Sequence, residues 1–84
     1  MPLYQIRDIN RVRTPESSVS AFSYYLASFG IGIQDDVRAR GKRFTVEADQ
    51  KIDPECLKTL HRTDFQVYVP QNGCWKYLKP DDDL

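Results

Sequence analysis

Two proline-led helix starts, 39 positions apart, constrain this 84-residue chain more than any other feature. Thr14-Pro15-Glu16 opens one amphipathic stretch and Asp53-Pro54-Glu55 opens another. Each sets a capping oxygen before the helix, a proline where no N–H partner is needed, and a glutamate at the positive end of the helix dipole. A strand-like run precedes each start, Tyr4 to Ile9 and Arg43 to Ala48, and another follows, Ile31 to Gln34 and Phe65 to Val69. The repeat predicts two β-α-β units in one small domain. It predicts no chemistry.

Local signals sharpen the elements. Tyr4 and Ile6 alternate with Gln5 and Arg7, the period of a half-buried strand. Val19, Phe22, Leu26 and Phe29 form one stripe on the first helix. Gly30 ends that helix, and as C′ it brings Ile31 against Leu26 in a Schellman cap. Strand two begins at Ile31 and stops at Gln34 or runs on to Ala39. Asp35-Asp36 reads as part of a solvated hairpin. Arg40-Gly41-Lys42 reads as a turn, and Phe44, Val46 and Ala48 face inward from strand three. In the second helix Ile52 and Leu57 are the hydrophobic-staple pair, and Cys56, Leu57 and Leu60 form the buried face. Asn72-Gly73 predicts a type I′ hairpin with Tyr68 facing Tyr77 and Pro70 facing Trp75.

The expected fold class is α+β: a split-βαβ (ferredoxin-like) antiparallel sheet with two helices on one face and a C-terminal β-hairpin. A looser α+β arrangement with different hairpin pairing is the alternative. Residues 1–79 are read as one domain and 80–84 as an acidic C-terminal tail.

Composition bounds function. Twelve basic and twelve acidic residues balance, but Asp81, Asp82 and Asp83 leave residues 1–79 at a net +3. That charge is too mild to announce a nucleic-acid or membrane binder. Two cysteines do not make a disulfide framework, so Cys56 and Cys74 are expected as free thiols. No signal peptide or membrane span is evident, and the expected location is cytoplasmic. His61 is the only histidine and is expected to be inert. No metal-ligand spacing, phosphate-cradling glycine cluster or nucleophile elbow is present, so neither cofactor nor metal nor catalytic residue is assigned. The serines at 17, 18, 20, 23 and 28 are read as the polar face of the first helix.

Two clusters remain. Arg38, Arg40, Lys42 and Arg43 crowd one turn, with Arg11 and Arg13 in an earlier loop; arginine suits bidentate contacts with anions. Tyr24, Tyr25, Tyr68, Trp75 and Tyr77 exceed what the core stripe of Phe22, Phe29, Phe44 and Phe65 needs. Tyr and Trp anchor protein interfaces and also stack single-stranded bases. The expected partner-binding residues are Arg38, Arg40, Lys42, Arg43, Tyr68, Trp75 and Tyr77.

The stretch from Phe22 to Val69 resembles small N-terminal docking domains of the TubC type from nonribosomal-peptide assembly lines. The likeness lies in a helix ending Phe29-Gly30-Ile31, a hairpin around Gly41, and Ile52-Asp53-Pro54-Glu55 opening a short leucine-containing helix. It spans about half the chain and implies docking within a multienzyme assembly line; where that family continues with a helix, this sequence has a strand and a hairpin. The primary expectation is a non-catalytic protein-binding module, an adaptor or phage-type inhibitor of a larger bacterial complex, acting as monomer or homodimer. A nucleic-acid-binding regulator using the same basic turn and rings is the second.

Overall fold

A computed structural model describes residues 2–34 and 38–80. The elements run β1 (Leu3–Asp8), α1 (Pro15–Ser28), β2 (Arg38–Arg40), β3 (Arg43–Glu47), α2 (Pro54–Arg62), β4 (Phe65–Gln71) and β5 (Cys74–Tyr77). The fold is α+β. Its described strands form one antiparallel sheet in the order β2-β3-β1-β4-β5.

Both helices start where their caps dictate. The Thr14 hydroxyl accepts from the Ser17 N–H and the Asp53 carboxylate from the Cys56 N–H, with a proline opening each helix. Gly30 takes a φ of 76°. Its N–H donates to the Ala27 carbonyl and the Ile31 N–H donates to Leu26, the bond pair of a Schellman cap.

Strand two differs from its expected start at Ile31. Ile33 makes an isolated bridge to Ala48, and the described part of β2 runs from Arg38 to Arg40. The Ile31 N–H is spent closing the helix cap, and the Gly32 N–H goes to the Asp49 carboxylate. A ladder cannot continue through groups already committed. The Asp35-Asp36 reading and the tail at 81–84 lie outside the described residues.

The core lies between the helices and one sheet face. Tyr4 and Ile6, Phe44 and Val46, Phe65 and Val67 point inward from β1, β3 and β4, meeting Phe22, Leu26, Cys56, Leu57 and Leu60. Phe22 is its centre, edge-on to Phe44 at 5.4 Å and to Phe65 at 5.7 Å between ring centroids. Phe29, expected in this core, is only half-buried.

One polar knot sits beside this apolar layer. Asp8 is 4% exposed. Its carboxylate accepts from Arg13 Nε at 2.7 Å, from Arg13 Nη2 at 2.9 Å, from the Asn10 N–H at 2.9 Å and from the Ser18 hydroxyl. Arg13 also donates to the Thr63 carbonyl at the end of α2 and lies 4.5 Å above the Phe65 ring. Two expectations are corrected here. Ser18 is fully buried rather than part of a solvated helix face, because its hydroxyl finds Asp8. Arg13 belongs to no basic surface, because its charge is consumed internally.

Burial of Asp8 disfavours its ionised form. The hydrogen bonds from Arg13, Ser18 and Asn10, with the guanidinium charge, outweigh that penalty and hold the carboxyl below its ordinary value. A depressed folded-state pKa contributes stability that is present above the unfolded value, about 3.9, and is lost as pH falls through the folded one. Arg13→Ala leaves a buried carboxylate without its cation and is expected to cost about 3 kcal/mol in urea unfolding at neutral pH, whereas exposed Arg11→Ala should change stability by under about 0.5 kcal/mol. Asp8→Asn should be less stable at neutral pH and lose less stability than the parent on acidification below about pH 4. Parallel acid limbs for the two proteins would contradict this account.

Candidate recognition surface

The alternation that sends Ile6 inward sends Arg7 outward, and the same holds across the sheet. The face away from the helices is therefore made of the other residue set. Cross-strand register arranges it in rows. Arg40 stands opposite Arg43, Arg43 opposite Arg7, and Arg7 opposite Gln66. The next row holds Thr45, Gln5, Tyr68 and Tyr77. Beyond it Glu47 pairs with Leu3 and Pro70 with Trp75.

The first row is the basic cluster, enlarged. Arg40 and Arg43 flank the Gly41-Lys42 turn and, with Arg7 and Lys42, line an open cleft of about 400 Å³. Asp8 also lines it, but its carboxylate is committed to Arg13 and Ser18 on the helix side, and its N–H donates to the Lys42 carbonyl at 2.9 Å. Among the described residues, none of these four cations has a carboxylate at ion-pair distance; the ion pair present is Arg13 with Asp8. The Arg38 backbone stands opposite Thr45 in the β2–β3 ladder; its side chain lies outside the described residues.

The aromatic group forms at the other edge. Asn72 and Gly73 both take positive φ, 51° and 79°, the requirement of a type I′ turn. The hairpin register follows as expected: Tyr68 faces Tyr77 and Pro70 faces Trp75. The two tyrosine rings are 5.5 Å apart and tilted by 53°. The Tyr68 hydroxyl donates to Gln66 Oε1 at 3.1 Å, which brings the rings to the end of the arginine row. The Tyr77 hydroxyl lies 3.4 Å from His61 Nδ1. Trp75 is 38% exposed.

Of the expected residues, Arg40, Arg43, Tyr68, Trp75 and Tyr77 thus share one face, with Lys42 on the turn at its end. Tyr24, 70% exposed on α1, and Tyr25, packed against Phe65, belong to the helix layer instead. Arg7 was not among the expected site residues. Its outward position in strand one was readable from alternation; its neighbours were not, because they depend on strand order.

Burial, reinforced by the Asp53 charge, pushes the Cys56 thiol up to about 11, so it is not a nucleophile at neutral pH. Among the described residues no three His, Cys, Asp or Glu side chains stand close enough to hold a metal ion. A second cleft of about 730 Å³ has a floor of Tyr4, Ile52, Leu57, Val69 and Leu78, and the Tyr4 hydroxyl there already accepts from the Ile52 N–H. No described helix is long and apolar enough to cross a membrane. The chain matches no protein-family model, no curated protein and no solved structure.

The two free thiols separate cleanly in this structure, Cys56 buried and Cys74 exposed on β5. Thiol titration of native protein at neutral pH is expected to show one fast and one protected group, the second reacting only after denaturation. Mass mapping should place the fast label on Cys74; fast labelling of Cys56 would mean that α2 does not stay docked.

Proposed function

We propose that this chain is a non-catalytic protein-binding module, an adaptor or an inhibitor, which works by occupying a partner's surface with the helix-free face of its sheet. The observation that carries this reading is a juxtaposition: cations lacking described counter-ions share the outward face of the sheet with Tyr68 and Trp75, and Tyr77 joins them on β5, where its hydroxyl meets His61 of α2. Tyr, Trp and Arg are the side chains that concentrate binding energy at protein interfaces. The sheet order supports a split-βαβ, ferredoxin-like reading, with β3 inserted between β1 and β2 and β5 added beyond β4. In such a sheet the helices occupy one side and leave the other for recognition.

A nucleic-acid-binding regulator draws on the same residues: phosphates on the arginines and bases on the rings. It differs in its response to nuclease and to salt, since polyanion binding falls steeply with ionic strength.

Affinity capture from the native host, with and without nuclease, tests both. The expected result is a protein partner retained after nuclease treatment. Trp75→Ala combined with Tyr77→Ala should keep the circular-dichroism spectrum and weaken capture about tenfold or more. Undiminished capture by the double variant, or a partner lost with nuclease, would overturn the protein-binding reading.

A further inference from the structure

We propose that the cleft beside the β2–β3 turn is a phosphomonoester site that takes a phosphorylated side chain of the protein partner; this rests on the protein-binding reading above. The sheet carries an electrostatic conflict. Like charges directly opposite one another destabilise an antiparallel pair. Here two such pairs are consecutive, Arg40 with Arg43 and Arg43 with Arg7. Lys42 adds a fourth cation at the turn between the first two. No described carboxylate relieves them. Asp8, the acid nearest in the chain, is turned inward to Arg13 and Ser18. Among the described residues the row lacks an internal counter-ion, and an anion from outside would supply one.

The geometry also selects the anion. A carboxylate brings one charge and fills the fork of one guanidinium. A phosphomonoester brings a charge of about −1.5 to −2 and three strong acceptor oxygens. Three arginines on three adjacent strands line the cleft that would receive those oxygens. At about 400 Å³, the cleft lies toward the small end of ligand sites, which run from about 300 to 1,000 Å³. It suits one headgroup and its ester carbon.

A nucleic-acid strand fits less well. A polyanion needs cations spaced along its path. The described side chains of the next row are Thr45, Gln5, Tyr68 and Tyr77, none of them a lysine or arginine, and the row after it presents Glu47. Among the described side chains positive charge on this face is concentrated at one end, and Arg38, whose backbone stands opposite Thr45, is on the edge strand next to that end. A peptide anchored there by one phosphate would cross Gln66 and Gln5 to reach the rings, with no further charge required.

The test uses the full chain labelled with ¹⁵N and titrated at fixed ionic strength with four probes. These are inorganic phosphate, N-acetyl-phosphoserine amide, N-acetyl-aspartate amide, and an oligothymidylate without terminal phosphate. Phosphate and phosphoserine should give saturable amide shifts centred on Arg7, Arg40, Lys42 and Arg43, with the aspartate probe about tenfold weaker. Arg43→Gln should weaken phosphoserine binding about tenfold or more. The same substitution removes both like-charge pairs and should raise the melting temperature of the free protein by roughly 2–4 °C. That opposite movement is not expected of a residue with a merely structural role. Phosphatase treatment of the lysate should abolish partner capture. The proposal is overturned by non-saturating shifts, by equal binding of the aspartate probe, by tighter binding of oligothymidylate, or by capture that survives phosphatase. If phosphoserine fails while the Trp75/Tyr77 double variant still loses its partner, this inference falls and the protein-binding reading stands.

Discussion

A carboxylate in the interior of so small a domain is costly unless its lone pairs are filled, and the whole architecture is arranged around filling those of Asp8. Arg13 supplies a fork, Ser18 a hydroxyl and Asn10 a backbone N–H. These donors come from the loop after β1 and from the first turns of α1, so satisfying Asp8 fixes where that helix begins. The same guanidinium reaches the Thr63 carbonyl, and the Asn10 amide reaches the Asp64 carboxylate at 3.1 Å. The end of α2 and the start of β4 are thereby tied to the end of β1. One ion pair thus positions both helices on the sheet. No buried side-chain nitrogen or oxygen among the described residues is left without a partner, so the knot is closed rather than half-built.

That knot also determines what is left outside. Asp8 and Arg7 are neighbours in sequence on opposite faces of β1. Asp8 goes inward and takes Arg13 with it; Arg7 goes outward and meets Arg43. Asp8, the acid next to Arg7 in the chain, is spent in the interior. The surface surplus of positive charge and the stability of the core are therefore two results of one alternation.

Short-range punctuation made much of this legible from sequence. Thr14-Pro15, Asp53-Pro54, Gly30 and Asn72-Gly73 act within a few residues of themselves, and each forms the cap or turn its chemistry requires. The alternation of Tyr4, Ile6, Phe44, Val46, Phe65 and Val67 likewise announced the inner face. What escaped depends on contacts between distant segments. Ser18 looks like any other serine on a polar helix face until strand β1 places Asp8 beside it. Arg13 looks like part of a basic loop until Thr63 and Phe65 surround it. Strand two was expected to begin at Ile31 because its residues favour strands, yet the Ile31 and Gly32 N–H groups were already committed to the helix cap and to Asp49. Arg7 was visible as an outward residue but not as a member of the arginine row, since no local signal reports which strand lies alongside.

Edge protection is the plainer account of these arginines. Edge strands are exposed to pairing with other chains, and natural sheets blunt them with brevity and charge. β2 is an edge strand of three residues that carries Arg38 and Arg40, so edge protection explains it fully. It does not explain Arg43, one strand in, nor Arg7 on β1, which has neighbours on both sides. Neither faces an open edge, and each stands opposite another arginine. A threonine at either position would remove the repulsion and suit a strand better. The interior arginines therefore oppose local stability without protecting an edge, and that conflict is the one the proposed anion site would relieve.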